Sequence, residues 1–247
     1  MRPMDLQISG RTFIVTGGSS GLGLATAEAL VAEDANVVIS SRSQEKIDAA
    51  VGQLGDRAAG LALDNAAHDA GEQLFTAAAE AFADAPVAGV FISVGGPAVG
   101  HYFDTSEEQW REAIESVFLG SLRLARCACE RLETGSAVGM VLSSSVWNPI
   151  PSIAISNALR PGIAMAIKNI ADEIGPRGIR IFGVAPGQIL TPRMGEAPDA
   201  EQLEHVPLRR LGQPHEFGQV AAFLLSPIAS YITGSVIAVD GGMVRSL

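Results

Sequence analysis

The sequence predicts an α/β fold, a doubly wound parallel sheet of about seven strands with helices on both faces, built as a single domain. Three observations carry this. Short apolar runs of strand length alternate with longer helical patterns over the whole chain, as a succession of strand–helix units requires. The first such run, "TFIVTG", passes through a glycine-rich turn straight into a helix. The 247 residues suit one large domain better than two small ones, and no linker, repeat or low-complexity segment divides them.

The elements follow in order. "TFIVTG" (Thr12 to Gly17) reads as a buried strand and "GLATAEALVAE" (Gly23 to Glu33) as a helix rich in Ala and Leu. "ANVVISSR" (Ala35 to Arg42) is the second strand, and "SQEKIDAAVGQL" a second helix capped by Ser43. "AAGLALD" is a third strand, "DAGEQLFTAAAEAFAD" a third helix, and "VAGVFISVGG" a fourth strand ending in glycines. A long helix over "SEEQWREAIESVFLGSLRLARCACERLE" begins at a Ser106 cap, and "SAVGMVLSSS" is the fifth strand. "ISNALRPGIAMAIKNIADEIG" is another long helical pattern, followed by the strand "GIRIFGVAPG". A loop with Pro and Gly leads to the helix "PHEFGQVAAFLLS" and the final strand "SVIAVDGG".

Composition narrows the function. Apolar residues make up 47% of the chain and charged residues 18%, ample material for a core. A formal net charge of −10 with no long basic run argues against binding nucleic acid through its phosphates. No apolar run reaches the length of a membrane span, and "MRPMDLQISGRT" lacks the apolar core of a signal peptide, so a cytoplasmic protein is expected. Cys127 and Cys129 read as reduced core residues rather than a disulfide or metal pair, and no metal site is expected.

The clearest chemistry lies at the first turn. In "TGGSSGLG" (Thr16 to Gly23), Gly17, Gly21 and Gly23 leave the backbone bare, so a pyrophosphate can approach the N–H groups at the helix N-terminus. The end of the second strand sets the choice of dinucleotide. An acidic residue there would bind the ribose 2′-OH of NAD and repel a 2′-phosphate. This chain has Ser40, Ser41, Arg42 and Ser43 instead, which favours NADP over NAD.

Over nearly its whole length the chain resembles the short-chain dehydrogenase/reductase family, and within it the 3-oxoacyl-carrier-protein reductases. "TGGSSGLG" is similar to that family's T-G-x-x-x-G-x-G. "GPRGIRIFGVAPGQILTPRM" resembles the strand and loop that pass the nicotinamide, and "PLRRLGQPHEFGQVAAFLLSPIASYITGSVIAVDGG" the C-terminal block. The resemblance implies a Rossmann-like fold and a cofactor surface drawn from several loops. Ser19, Ser20 and Leu22 belong to the glycine turn, and Asp64, beside Asn65, stands where the family places an aspartate against adenine. Ser93 and Gly95 end the fourth strand, and Pro186, Gly187, Ile189 and Thr191 follow the sixth. It also implies a small-molecule substrate and a homo-tetramer or homo-dimer, packed through the long helices flanking the fifth strand.

The family's catalytic quartet of Asn, Ser, Tyr and Lys is largely missing. Anchored on "GPRGIR", the Y-x-x-x-K positions fall on Ser156 and Arg160. The serine position, thirteen residues before Ser156, is Ser143, with Ser145 as a second candidate. The helix asparagine, counted from Trp110, falls on Val117, and the strand-end asparagine on Ser93. A serine hydroxyl is a far weaker acid than a phenol of pKa ~10. Arginine keeps its proton to about pH 12, so it is expected to hold an oxygen or a ribose as a fixed cation and not to relay protons. His101 and Tyr102, in the loop after the fourth strand, are candidate replacement acids or passive loop residues. Met194, Leu203 and His205 are candidates to face substrate, whereas Tyr231 reads as structural. Three readings stay open: an NADP-dependent oxidoreductase with an altered acid, a non-catalytic cofactor-binding partner or redox sensor, and a lyase or isomerase.

Overall fold

The computed structural model describes residues 5–194 and 203–246. Seven parallel strands form one sheet in the order β3-β2-β1-β4-β5-β6-β7. They are β1 (Thr12–Thr16), β2 (Asn36–Ser41), β3 (Ala58–Ala62), β4 (Val87–Ile92), β5 (Ala137–Val141), β6 (Arg180–Pro186) and β7 (Ser235–Val239). The helices are α1 (Gly21–Val31), α2 (Gln44–Leu54), α3 (Ala70–Ala81), α4 (Glu107–Ala113), α5 (Gly120–Arg131), α6 (Ala154–Ile174) and α7 (Pro214–Leu225). The chain reverses direction across the sheet at β1 and β4, which pair side by side. In such sheets the crevice beyond the carboxyl ends of the strands at this point is where ligands sit.

Successive strand residues face opposite sides, and two cores result. Phe13, Val15, Val37, Ile39, Phe91 and Phe182 pack with Leu30 of α1, Ile47 of α2 and Phe217 of α7. Ile14, Val38, Val90, Ile92, Met140 and Ile181 pack with Leu74 of α3, Leu124 of α5 and Ile163 and Ile167 of α6. Along β1, β2 and β4 the alternation is direct: Phe13 and Val15 lie in one core with Ile14 in the other, and Phe91 in one with Val90 and Ile92 in the other. Helices α1 and α7 approach closely: a Cβ on Gly218 would lie 2.2 Å from the Ala25 carbonyl oxygen.

Both expected caps form. Ser43 Oγ accepts from the Lys46 N–H, and Ser106 and Gln109 make a reciprocal capping box. The expected strands run one to four residues too far at their carboxyl ends: β4 stops at Ile92 and β5 at Val141. The glycines and serines beyond them leave the ladder and become the loops over the crevice. The long helix expected from Ser106 to Glu133 is in fact three pieces, with a π-helical stretch at Ile114–Leu119 between α4 and α5. Helix α6 continues through Pro161, which has no N–H to give the Asn157 carbonyl four residues back. Among the described residues, no helix is long and apolar enough to cross a membrane. Cys127 is half-buried and Cys129 buried, both free thiols.

Candidate active site

One cavity of about 970 Å³ runs along the carboxyl ends of the central strands. Its floor at one end is the β1–α1 turn. The positions of Gly17 and Gly23 explain this turn. A Cβ on Gly17, where φ is +59°, would lie 2.2 Å from the Ser93 carbonyl oxygen, and one on Gly23 would lie 2.3 Å from the Gly17 carbonyl oxygen. Glycine at both places lets the strand, the turn and the helix close on one another. Thr16 Oγ1 ties the turn to β4, accepting from the Ser93 N–H at 3.0 Å. Gly17, Ser19, Ser20, Gly21 and Leu22 then line the cavity at the N-terminus of α1. Gly23 does not line it and acts through packing alone.

Ser41 and Arg42, at the end of β2, line the same cavity, as does Lys46 from the first turn of α2. The sequence reading missed Lys46. Its signal was a second cation four residues after Arg42, just past the Ser43 cap. A smaller adjoining cavity of about 310 Å³ is bordered by Asp64, Asn65, Ser93, Gly95 and Val117. Asp64 Oδ1 accepts from the Ala66 N–H and holds that rim, while Asn65 Oδ1 has no hydrogen-bond partner. A bare-backbone turn at a helix N-terminus, with polar and cationic side chains following β2 and an unpaired amide oxygen by the rim, fits a dinucleotide.

At the far end the cavity is lined by Ser143, Ser156 and Arg160, with Pro186, Gly187, Ile189 and Thr191 forming the opposite wall. Ser143 Oγ accepts from the Ser145 N–H at 3.1 Å, which fixes the turn after β5 and leaves the hydroxyl proton free. Ser145 is buried away from the cavity, and its Oγ has no partner. Asn157 pins the loop before α6, its side chain donating to the Ile150 carbonyl and accepting from the Ile150 N–H. Arg160 is only 4% exposed and donates to the Val141 carbonyl oxygen. Burial, with help from the nearby Arg193 charge, pushes its guanidinium down to about 10. That is a correction to the sequence reading, which took the ordinary arginine value; at neutral pH the side chain remains a cation.

Arg193 and Met194 line this end, as does His205, whereas Leu203 is buried outside it. The remainder of the covering loop, residues 195–202, lies outside the described residues. Arg193, also missed in the sequence, bridges the cleft by donating to the Gly96 and Pro97 carbonyls, each at 2.8 Å. The two candidate acids do not join the site. His101 points to Ser152 Oγ at 3.3 Å, and Tyr102 stacks edge-on against Phe103 and Trp110 and is 66% exposed. The loop turns them outward because Gly100 bonds to the Ser152 carbonyl.

Fold and crevice together define a dinucleotide-binding α/β oxidoreductase scaffold. The family model described as enoyl-(acyl carrier protein) reductase matches residues 17–244, and the chain belongs to the short-chain dehydrogenase/reductase family. It is 33% identical over 249 residues to the 3beta-hydroxysteroid dehydrogenase 1 of Eggerthella lenta, covering 96% of this chain and 94% of that protein. It superposes with a TM-score of 0.90 on L-sorbose reductase from Gluconobacter frateurii, solved with NADPH and L-sorbose, at 28% identity and covering 99% and 100% of the two chains. A 3-ketoacyl-(acyl-carrier-protein) reductase from Brucella melitensis, solved with NADH, gives 0.87 at 25% identity, covering 96% and 99%.

Proposed function

We propose that the protein is an NADP-dependent oxidoreductase acting on a small carbonyl or alcohol through an altered catalytic site. The observation that carries this is the single cavity that runs from Arg42 and Lys46 at one end to Ser143, Ser156 and Arg160 at the other. When bound, the nicotinamide supplies or accepts the hydride. The chain's own residues do the rest. Arg42 and Lys46 hold a 2′-phosphate, and the bare N–H groups at the start of α1 hold a pyrophosphate. Ser143 donates its free hydroxyl proton in a hydrogen bond to the substrate oxygen. Arg160 stabilises negative charge developing on that oxygen from within a low-dielectric wall. Ser156 stands where the related enzymes carry a phenol, and its short hydroxyl leaves room beside Arg160 for a water to deliver the proton.

Two measurements test the reading. Titration with NADPH and NADH should show tighter binding of NADPH. Absorbance at 340 nm should change with a carbonyl panel, and Ser143→Ala should lower kcat by about 10²–10³, the usual size of losing one oxyanion donor. Tight NADPH binding with no turnover on any ketone, aldehyde or alcohol would leave the non-catalytic sensor as the better account. The exposed apolar side chains Ile114, Leu119 and Met165, on the α4–α5 segment and α6, support a homo-oligomer formed through these helices. A soluble cytoplasmic enzyme is consistent with the composition.

A further inference from the structure

The described residues lining the large cavity include four Arg or Lys side chains, Arg42, Lys46, Arg160 and Arg193, and no Asp or Glu. This is unexpected in a chain with 27 acidic and 17 basic residues. The four cations fall into two pairs. Arg42 and Lys46 stand at the end of β2, where a ribose phosphate would lie. Arg160 and Arg193 stand at the other end, with Ser143 and Ser156. A pyrophosphate at the α1 N-terminus faces Ser19, Ser20 and Thr191, so it does not account for this second pair.

The second pair is built into the structure. Arg160 is 4% exposed, and among the described residues its one hydrogen bond is to the Val141 carbonyl. A guanidinium has five N–H donors, so most of those on Arg160 have no acceptor among the described residues. Arg193 is aimed by two carbonyls, those of Gly96 and Pro97, which take two of its five donors among the described residues. The close approach needs a glycine, because a Cβ on Gly96 would lie 2.5 Å from the Arg193 guanidinium carbon. Neither arginine forms a salt bridge among the described residues, whereas six other arginines do. The two charges are close enough for Arg193 to depress the pKa of Arg160. Two like charges held together in a partly dry cleft call for an anion between them.

We propose that the substrate is a carbonyl or alcohol carrying a compact oxyanion, a carboxylate or phosphate, and that Arg160 and Arg193 bind that anion beside Ser143. The inference rests on the reading of the cleft as an oxidoreductase site. Arg193 is then a specificity residue carried by the covering loop, and its contact with Gly96 and Pro97 fixes it before the anion arrives.

The test is calorimetric titration of the NADPH-saturated protein with oxalate, inorganic phosphate and neutral oxamide. Oxalate or phosphate should bind, whichever binds more tightly naming the oxyanion, and oxamide at least tenfold more weakly. Arg193→Gln, at an exposed position, should weaken the anion at least tenfold without altering NADPH affinity. Arg160→Gln should do the same to the anion, its folding checked by thermal melting. Oxamide binding as well as both anions, anion affinity unchanged in Arg193→Gln, or anion displaced by NADPH would each overturn the inference. If NADPH itself does not bind, the proposed function fails. The same titration of the cofactor-free protein then decides the arginine pair: affinity unchanged by Arg193→Gln overturns it, and a tenfold loss sustains it.

Discussion

Arg160 carries the largest electrostatic cost in the site. Burial and the Arg193 charge lower its pKa from the ordinary arginine value to about 10, a cost on the order of 3 kcal/mol. The folded value lies below the unfolded one, so the cost is fully present at every pH below about 10 and fades only as pH rises from there towards the ordinary arginine value. Replacing Arg160 by Met keeps most of the volume and removes the charge, while the Val141 carbonyl loses one donor at a cost of about 1 kcal/mol. Arg160→Met should therefore raise the Tm of the ligand-free protein by about 3–6 °C at pH 7. A scanning-calorimetry comparison checks this, and a lower Tm would mean that the cation is already compensated in the free protein. That Ser156 and Arg160 stand at the family's Tyr and Lys positions was legible from the resemblance anchored on "GPRGIR". The depressed pKa was not, because it comes first from tertiary burial of the side chain and then from Arg193, which reaches in from a loop thirty-three residues further on.

The elements were legible where a local signal sets them. Ser43 and Ser106 marked two helix starts, and the apolar runs marked all seven strands. The π-helical stretch was not legible, because its causes lie partly in another loop. Helix α5 begins where Gly120 meets the turn after β3: a Cβ there would lie 2.9 Å from the Asn65 carbonyl oxygen and 3.2 Å from that of Glu115. Within the helix, Ser116 Oγ donates to the Glu112 carbonyl four residues back. Intrinsic propensity says that Gly120→Ala should stabilise a helix by about 1 kcal/mol. The close backbone contact predicts the opposite sign, a loss of about 1–3 kcal/mol in urea unfolding. The start of α7 offers a pH test. Arg210 and the Gln213 N–H hold the Glu216 carboxyl down to about 2. Its contribution is present above the ordinary carboxylate range, near pH 4.5, and is lost as pH falls towards 2. Glu216→Gln should lower Tm slightly at pH 7, and the two melting curves should converge between those limits. Because the pair lies at the surface and is screened by solvent, the difference at neutral pH should be small.

At the scale of the whole molecule the charge is divided, net −10 over the chain but cationic in the cleft. The acidic surface repels NADPH, with its extra 2′-phosphate charge, more than NADH, so a preference for NADPH has to come from local contacts to that phosphate. In the proposed function Arg42 and Lys46 make that contact, and both are exposed. Charge-assisted hydrogen bonds of this kind contribute about 1.5–3 kcal/mol each, so Arg42→Ser or Lys46→Ser should weaken NADPH roughly ten- to hundredfold. NADH, which has no group at that end, should be nearly unaffected. Exposed ion pairs are screened, since the Debye length falls from about 30 Å at 0.01 M salt to about 3 Å at 1 M. The preference for NADPH should therefore shrink as salt rises, and the two serine variants should show a weaker salt dependence than the parent. Fluorescence titrations of both nucleotides at several ionic strengths read all of these effects. A preference independent of salt and unmoved by either substitution would place the discrimination elsewhere than at the end of β2.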